Sequence, residues 1–394
     1  MDIIYSAQVA PLTPSYGTVF YQEALASYRA GSLKRMITAG LRHGTGDIPA
    51  EKIRQTLGSV RFLTMRIPNM RRELNLIVTG VLHDVIAARR IEQADALKVW
   101  NHGALYTLRQ ARKMGTVTVL ERSSSHMLTQ NRLLVEELRR HGRKLSTYVA
   151  PITIKRALAE YEAADYIRVP SPFVYDSFVE NGVPAEKLIL APYGTDLTSF
   201  RQAKRKRMDD RFVVVCVGSV GWRKGVTDLL ESWRIARLPN ATLVLAGHVM
   251  PEAREEVAAA QIEMGDSLDA SGAVSDVPQL LADSDLFVLP TVEEGSAISI
   301  YEAMAVGLPI ITTKNSGTVG RDGKEVRLVP IRDPEAIAVA FQELQRDADA
   351  RRALGTAARA LSESFTWERS CATLEAEIAS RVEQRLRAGQ TTRV

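Results

Sequence analysis

The sequence predicts an α/β protein built as two doubly wound, Rossmann-like domains that face each other across a cleft. Three observations carry this. At 394 residues the chain exceeds what one hydrophobic core usually supports, so two units of roughly 200 residues each are expected. In the second half, short apolar runs alternate with stretches of helical periodicity, the pattern of parallel strands covered by helices on both faces. Between the halves, residues 195–211 contain Arg201-Gln202-Ala203-Lys204-Arg205-Lys206-Arg207 and no apolar periodicity, which marks a linker. The expected units are residues 1–200 and 201–366, with residues 367–394 packing back onto the first.

The elements follow in order. Residues 2–8 read as a strand, 17–30 as a helix, 116–121 as a β-branched strand, and 166–169 as another strand ahead of Pro170. The stretch from 31 to 75, with arginines between Arg61 and Arg72, shows no assignable pattern. In the second half, Phe212–Val217 is an apolar strand that ends in Gly218-Ser219-Val220-Gly221, and 226–237 has helical spacing. Further strands are expected at 241–246, 286–289 and 309–313, with helical patterns near 251–264, 277–283 and 300–306. Residues 367–387 read as a long amphipathic helix with Leu374, Ile378, Val382 and Leu386 spaced by four, a stripe that must be buried against something. No internal repeat of 20–50 residues interrupts this two-unit pattern.

Composition excludes several classes. The apolar fraction is 45% and charged residues are 25%, without low-complexity tracts, which argues against a disordered or fibrous chain. Cys216 and Cys371 are too few for a disulfide framework, and Cys216 lies inside an apolar run as a buried thiol would. Residues 1–6 show no basic leader, and no run approaches the roughly 18–20 apolar residues of a spanning helix. A cytoplasmic protein is therefore expected. Its charge is uneven: residues 1–200 carry 26 Lys+Arg against 18 Asp+Glu, and residues 201–394 carry 25 against 28. The basic half favours an anionic partner, either an anionic membrane surface met peripherally at its inner face or an acidic acceptor. A merely solvated basic surface is the alternative. No aromatic interleaving or module points to nucleic acid.

Two constellations carry chemistry. Gly218-Ser219-Val220-Gly221-Trp222-Arg223-Lys224-Gly225 follows a buried strand. Glycines there let the backbone approach a ligand, and the following helix points free N–H groups at it. Arg223 and Lys224 add cations suited to a diphosphate. The spacing is neither a dinucleotide fingerprint nor a Walker sequence. In the second constellation, Glu294 and Glu302 lie eight residues apart, with Gly295-Ser296-Ala297-Ile298-Ser299 between a strand end and a helix start. That is where ligands bind in open α/β sheets. Carboxylates there can accept hydrogen bonds from sugar hydroxyls, and amides can hold phosphate oxygens. Among six histidines, His126 stands out because it follows strand 116–121 through Arg122-Ser123-Ser124-Ser125. No His/Cys set has zinc spacing and no Asp-x-Asp follows a strand, so metal-free chemistry is expected.

These segments resemble the retaining glycosyltransferases of family 4, whose fold is the two-Rossmann-domain GT-B fold. The resemblance rests on Val217-Gly218-Ser219 with Arg223-Lys224-Gly225, on residues 282–290, and on Glu294-Gly295 with Tyr301-Glu302-Ala303-Met304-Ala305 and Gly307-Leu308-Pro309, which carries the family's Glu-x₇-Glu signature. Pro192-Tyr193-Gly194-Thr195-Asp196 with Phe200 completes four motifs in order. The resemblance implies a nucleotide-diphosphate sugar (UDP-, GDP- or ADP-linked) as donor and no tightly bound cofactor or metal. Its hydroxyl acceptor would be a lipid, a polysaccharide or a small glycoside. Arg223 and Lys224 would then neutralise the diphosphate, Glu294 contact the transferred sugar, Glu302 bind the ribose, and the amides from Gly295 to Ser299 meet phosphates and sugar. Gly218 and Ser219 would approach the donor. On the acceptor side, Ser15-Tyr16-Gly17-Thr18 occupies the place of the family's glycine-rich loop, and His126 lies near its catalytic histidine.

The chain departs from the family at three points. Ser219 stands where an arginine is common, the N-terminal loop has one glycine instead of two, and His126 falls a few residues late, so that Arg122 is an alternative acceptor-site residue. A binding or scaffold protein that lost transfer, or a sugar-nucleotide epimerase of the same fold, remain alternative readings.

Overall fold

The computed structural model describes residues 1–13, 16–58 and 72–391. Ser15 and the arginine-rich residues 59–71 lie outside the described residues. The first sheet has seven strands: β1 (Ile3–Ala7), β2 (Leu33–Thr38), β3 (Ile53–Gln55), β4 (Ala96–Trp100), β5 (Val117–Glu121), β6 (Tyr166–Val169) and β7 (Leu188–Leu190), in the order β3-β2-β1-β4-β5-β6-β7. The second has six: β8 (Phe212–Val217), β9 (Ala241–Ala246), β10 (Leu268–Gly272), β11 (Leu286–Leu289), β12 (Ile310–Thr312) and β13 (Arg327–Leu328), in the order β10-β9-β8-β11-β12-β13. Every strand pair is parallel. Each order reverses direction once, between β1 and β4 and between β8 and β11. In an open α/β sheet the crevice beyond the carboxyl ends of those strands is the natural ligand position.

Strands buried on both faces need apolar cover on both. One face of the first sheet packs Ile3, Tyr5 and Val119 against Val19, Phe20 and Ala24 of helix Tyr16–Arg29. The other packs Ile4, Leu97 and Ile167 against Leu108, Ala157 and Phe178. The second sheet has one continuous core that includes Val214, Leu230, Phe287, Ile300 and Phe341. Helix Trp367–Thr391 returns from the second sheet to the first and buries Leu374, Ile378 and Val382 with the first sheet's core. Leu386, expected to continue that stripe, is 62% exposed, because the stripe outruns the surface it covers.

Several first-half strands escape sequence patterning for a visible reason. β4 reads Ala-Leu-Lys-Val-Trp, with a lysine in the middle of a strand that is buried throughout. Lys98 is tolerated because it meets Glu23 at 2.5 Å and Glu121 at 2.7 Å. Glu121 also binds Arg168 of β6 at 2.5 Å and accepts from the Tyr193 hydroxyl at 2.8 Å. A buried charge persists only where it is paired and hydrogen-bonded. β2 likewise carries Lys34-Arg35, and β7 is three residues long.

The two crossings between the sheets run side by side. The Thr195 N–H donates to the Phe365 carbonyl at 2.8 Å, and a Cβ on Gly194 would lie 2.6 Å from the Trp367 nitrogen. No helix among the described residues is long and apolar enough to cross a membrane.

Candidate active site

The carboxyl ends of β8 and β11 open into a cavity of about 850 Å³. The first sheet's side supplies Tyr16, Thr18 and Ser123, and the crossing segments supply Tyr193, Thr195, Asp196 and Trp367. The second sheet supplies Gly218, Ser219, Arg223, Lys224, Glu294, Ser296, Ala297, Ile298, Ser299 and Glu302. Of the residues singled out in the sequence, these ten converge on one space. Gly17, Gly295 and His126 do not line it.

The loop after β8 is shaped by close backbone approach. Gly218 has φ +134°, and Gly225 has φ +75° with a would-be Cβ 2.2 Å from the Pro290 carbonyl oxygen. At Gly225 only glycine tolerates both the conformation and the contact, and at Gly218 the positive φ alone favours it. The turn Trp222–Lys224 then aims two cations at the end of β11. The Arg223 carbonyl accepts from the Val292 N–H at 3.0 Å and the Thr291 hydroxyl at 2.8 Å, which locks one loop to the other.

The charges form a compact set. Lys224 pairs with Glu294, and the Arg223 guanidinium lies 3.4 Å from the other Glu294 oxygen. Burial alone would raise the Glu294 carboxyl, but Lys224 and then Arg223 hold it down at about 2. Glu294 is therefore ionised at neutral pH. Glu302 differs: it has no hydrogen bond or ion pair among the described residues, and burial raises its carboxyl to about 7. Two carboxylates on one cavity wall are thus set apart by their surroundings.

The amides between them do not all face the cavity, which corrects the expectation from sequence. The Gly295 N–H turns to the Glu294 carboxylate, and the Ala297 N–H donates to the Ser316 carbonyl at 3.1 Å. Helix Ile298–Val306 has no side-chain cap, so the Ile298 and Ser299 amides have no intrahelical acceptor. Ser296 turns its hydroxyl to the Tyr301 hydroxyl at 3.0 Å.

Gly295 is a contact between the two halves. A Cβ there would lie 1.7 Å from the Ser123 carbonyl oxygen, and the Gly295 carbonyl accepts from the Ser171 hydroxyl at 2.6 Å. Gly17 is buried within the first helix, where a Cβ would meet Thr13 Oγ1 at 2.0 Å, and its neighbours Tyr16 and Thr18 reach the cavity instead.

His126, expected in the acceptor site, is a helix-capping residue in this structure and does not line the cavity. It caps helix Met127–Arg140, with its N–H on the Ser177 hydroxyl at 2.9 Å and its ring edge-on to Phe178, centroids 4.9 Å apart. Burial and the Arg122 charge lower its pKa to about 4, so the ring is neutral. Arg122, the alternative, also stays off the cavity. It binds the Ser125 carbonyl at 2.7 Å and Gln130 Oε1 at 2.8 Å.

One central residue was missed from sequence. Glu293 is fully buried, and its carboxylate accepts from the Ser125 N–H at 3.1 Å, the Ser125 hydroxyl at 2.7 Å, Gln130 Nε2 at 3.1 Å and Arg223 Nε at 3.0 Å. The only local signal was its position as the first of two adjacent glutamates after β11. Further along, the same helix Met127–Arg140 clamps the loop that carries Arg223. Arg140 meets Asp228 at 2.8 Å, and the His141 ring stacks flat on Trp222 at 3.9 Å. Among the described residues no group of His, Cys, Asp and Glu side chains converges as metal ligands would.

Comparison with known proteins places this arrangement. Residues 211–347 match the family model described as glycosyl transferases group 1. The MMP alpha-(1->4)-mannosyltransferase of Mycolicibacterium hassiacum is 28% identical over 66% of this chain, a match that spans 64% of that relative's length. A GDP-mannose-dependent alpha-(1-6)-phosphatidylinositol dimannoside mannosyltransferase of Mycobacterium tuberculosis is 24% identical over 80% of this chain and 86% of its own. Among solved structures, HepE of Anabaena in complex with UDP superposes with a TM-score of 0.65, covering 96% of this chain and 100% of that one at 16% identity. Residues 211–347 are thus a glycosyl transferases group 1 domain, set in a chain with two parallel-sheet Rossmann-like domains of the GT-B fold.

Proposed function

We propose that the chain is a retaining glycosyltransferase that moves a sugar from a nucleotide-diphosphate sugar to a hydroxyl acceptor. The observation that carries this is the pairing of Arg223 and Lys224 with Glu294 on the wall of a cavity that also holds the unpartnered Glu302. Two fixed cations suit a diphosphate, and an unpartnered carboxylate suits the paired hydroxyls of a ribose. The glycosyltransferase names of the relatives, and the UDP in the HepE structure, support a nucleotide-sugar donor.

In this reading the bond between the anomeric carbon and the diphosphate oxygen breaks, and a bond to the acceptor oxygen forms on the same face. The acceptor's proton passes to the departing diphosphate oxygen. Arg223, Lys224 and the Ile298 and Ser299 amides stabilise the negative charge that develops on the leaving group. Positive charge at the sugar carbon faces Glu294, which stays ionised. The protein's own cations take the role that a metal ion fills elsewhere, so the reaction proceeds without one. Contact between the two halves at Gly295 excludes water from the donor.

The same reading places the acceptor against the basic first half. Arg139, Arg143 and Lys144 are exposed beside the exposed apolar side chains of Leu145, Tyr148 and Ile152. A surface of that composition suits an acceptor presented at an anionic lipid surface.

Thermal shift with UDP, GDP and ADP tests the donor class. A ligand that binds only the folded state raises the melting temperature, so one diphosphate stabilises the protein above the others. No shift with any of them, at concentrations up to the millimolar range, counts against the reading.

A further inference from the structure

The geometry points to Glu293 as a positioning residue that couples seating of the first domain to the alignment of Arg223; the inference rests on the glycosyl-transfer reading above. Glu293 belongs to the second sheet's loop, yet three of the four hydrogen bonds to its carboxylate come from the first domain. Oε1 takes both bonds from Ser125. Oε2 is shared by Gln130 Nε2 at 3.1 Å and Arg223 Nε at 3.0 Å, so one oxygen joins the two halves of the protein.

The first-domain side of this contact is itself held rigid. Arg122 grips the Ser125 carbonyl at 2.7 and 3.0 Å and Gln130 Oε1 at 2.8 Å. The relay therefore runs Arg122, Gln130, Glu293, Arg223, with each group placed by the one before it. Networks of this kind rigidify when every member is satisfied. If the domains separate, the Glu293 carboxylate loses Ser125 and Gln130 together, and Arg223 is left between two adjacent carboxylates of its own domain, Glu293 and Glu294. In that state Nε keeps its bond to the Glu293 main-chain carbonyl at 2.9 Å, but the carboxylate that also holds the guanidinium is no longer fixed, so the group is freer to turn onto Glu294. Seating Ser125 and Gln130 fixes Glu293, whose Oε2 lies 3.0 Å from both Nε and Nη2 of Arg223, and so sets the plane of the guanidinium.

Glu293 also neutralises part of the Arg223 charge, so it weakens ground-state attraction for a diphosphate while improving alignment. This gives a signature that a merely structural residue lacks. Replacing it with the isosteric amide, Glu293→Gln, is expected to tighten nucleotide-diphosphate binding by roughly three- to tenfold. The same change lowers kcat on the order of 10²-fold through misplacement of Arg223. Gln130→Ala, which leaves the charge in place, is expected to lower kcat with diphosphate affinity unchanged. Parallel losses of affinity, kcat and melting temperature in Glu293→Gln would make Glu293 a structural residue only, and unchanged kinetics would remove it from the mechanism; either result overturns the inference.

A readout independent of turnover separates this inference from the reading beneath it. Small-angle scattering of the ligand-free proteins is expected to show Glu293→Gln and Gln130→Ala more extended than the unsubstituted chain. If no donor is turned over or bound by the unsubstituted chain, the transferase reading fails. The coupling still stands if the variants open, and falls if their dimensions match the unsubstituted chain.

Discussion

Arg223 Nε donates to Glu293 at two points, the main-chain carbonyl at 2.9 Å and the carboxylate at 3.0 Å, while Nη2 lies 3.0 Å from the same carboxylate and 3.4 Å from both Glu294 Oε1 and Ser124 Oγ. The guanidinium is thus anchored on one edge and open on the other. Burial would destabilise its charge, but Glu294 and Glu293 more than offset this and raise its pKa. The charge is permanent over the working pH range.

Arg223→Ala and Lys224→Ala are each expected to lower kcat by about 10²–10³-fold, the usual loss when one stabilising donor is removed from a developing anion. Steady-state kinetics with a saturating donor measures this. Arg223→Lys keeps the charge but not the fork that spans Glu293 and the donor, so it recovers only part of the rate.

Glu302 predicts a pH dependence in the neutral range. Burial places its folded pKa at about 7, above the ordinary 4.5. The neutral form is therefore favoured in the folded protein. Its contribution to stability is full below the unfolded value and is lost as pH rises through 7. Paired hydrogen bonds from two ribose hydroxyls need both oxygens of the ionised form as acceptors, so the donor KM is expected to rise as pH falls below about 7. Glu302→Gln flattens both that profile and the change of melting temperature between about pH 4.5 and 7.

Gly295→Ala tests the contact between the domains. Its Cβ would meet the Ser123 carbonyl oxygen at 1.7 Å, a backbone atom that cannot rotate away. Each domain keeps its own core, so the far-UV circular dichroism stays unchanged. The domains cannot seat, so turnover falls on the order of 10²-fold and the radius of gyration increases.

The proposed absence of a catalytic metal predicts that excess EDTA leaves the initial rate unchanged. Added magnesium or manganese likewise leaves it unchanged. A rate abolished by chelation and restored by one of these ions would move the diphosphate charge from Arg223 and Lys224 to a metal.

The second domain was the more legible half because its signals are local. A strand, a glycine turn and a helix follow each other within Phe212–Ala236, and the same holds from Leu286 to Val306. Every cavity-lining residue on that side could be read from such transitions. What escaped depends on partners distant in the chain. β4 was obscured by Lys98, whose charge makes sense only beside Glu23, 75 residues away. Glu293 had no local motif because it is defined by Ser125, 168 residues earlier. His126 was placed in the acceptor site by its spacing after β5. Spacing does not reveal that Phe178 and Tyr161 surround the ring.

The proposed transfer from a nucleotide-diphosphate sugar runs by way of Arg223, Lys224 and Glu294. Its most direct measurement is nucleotide-diphosphate release from a panel of UDP-, GDP- and ADP-sugars, with and without a hydroxyl acceptor, for the unsubstituted chain and for Glu294→Ala. Slow release from one donor, accelerated by acceptor, lost in Glu294→Ala and giving a product with the donor's anomeric configuration is the predicted result. Equal silence from both proteins across the panel, or a product of inverted configuration, would contradict it.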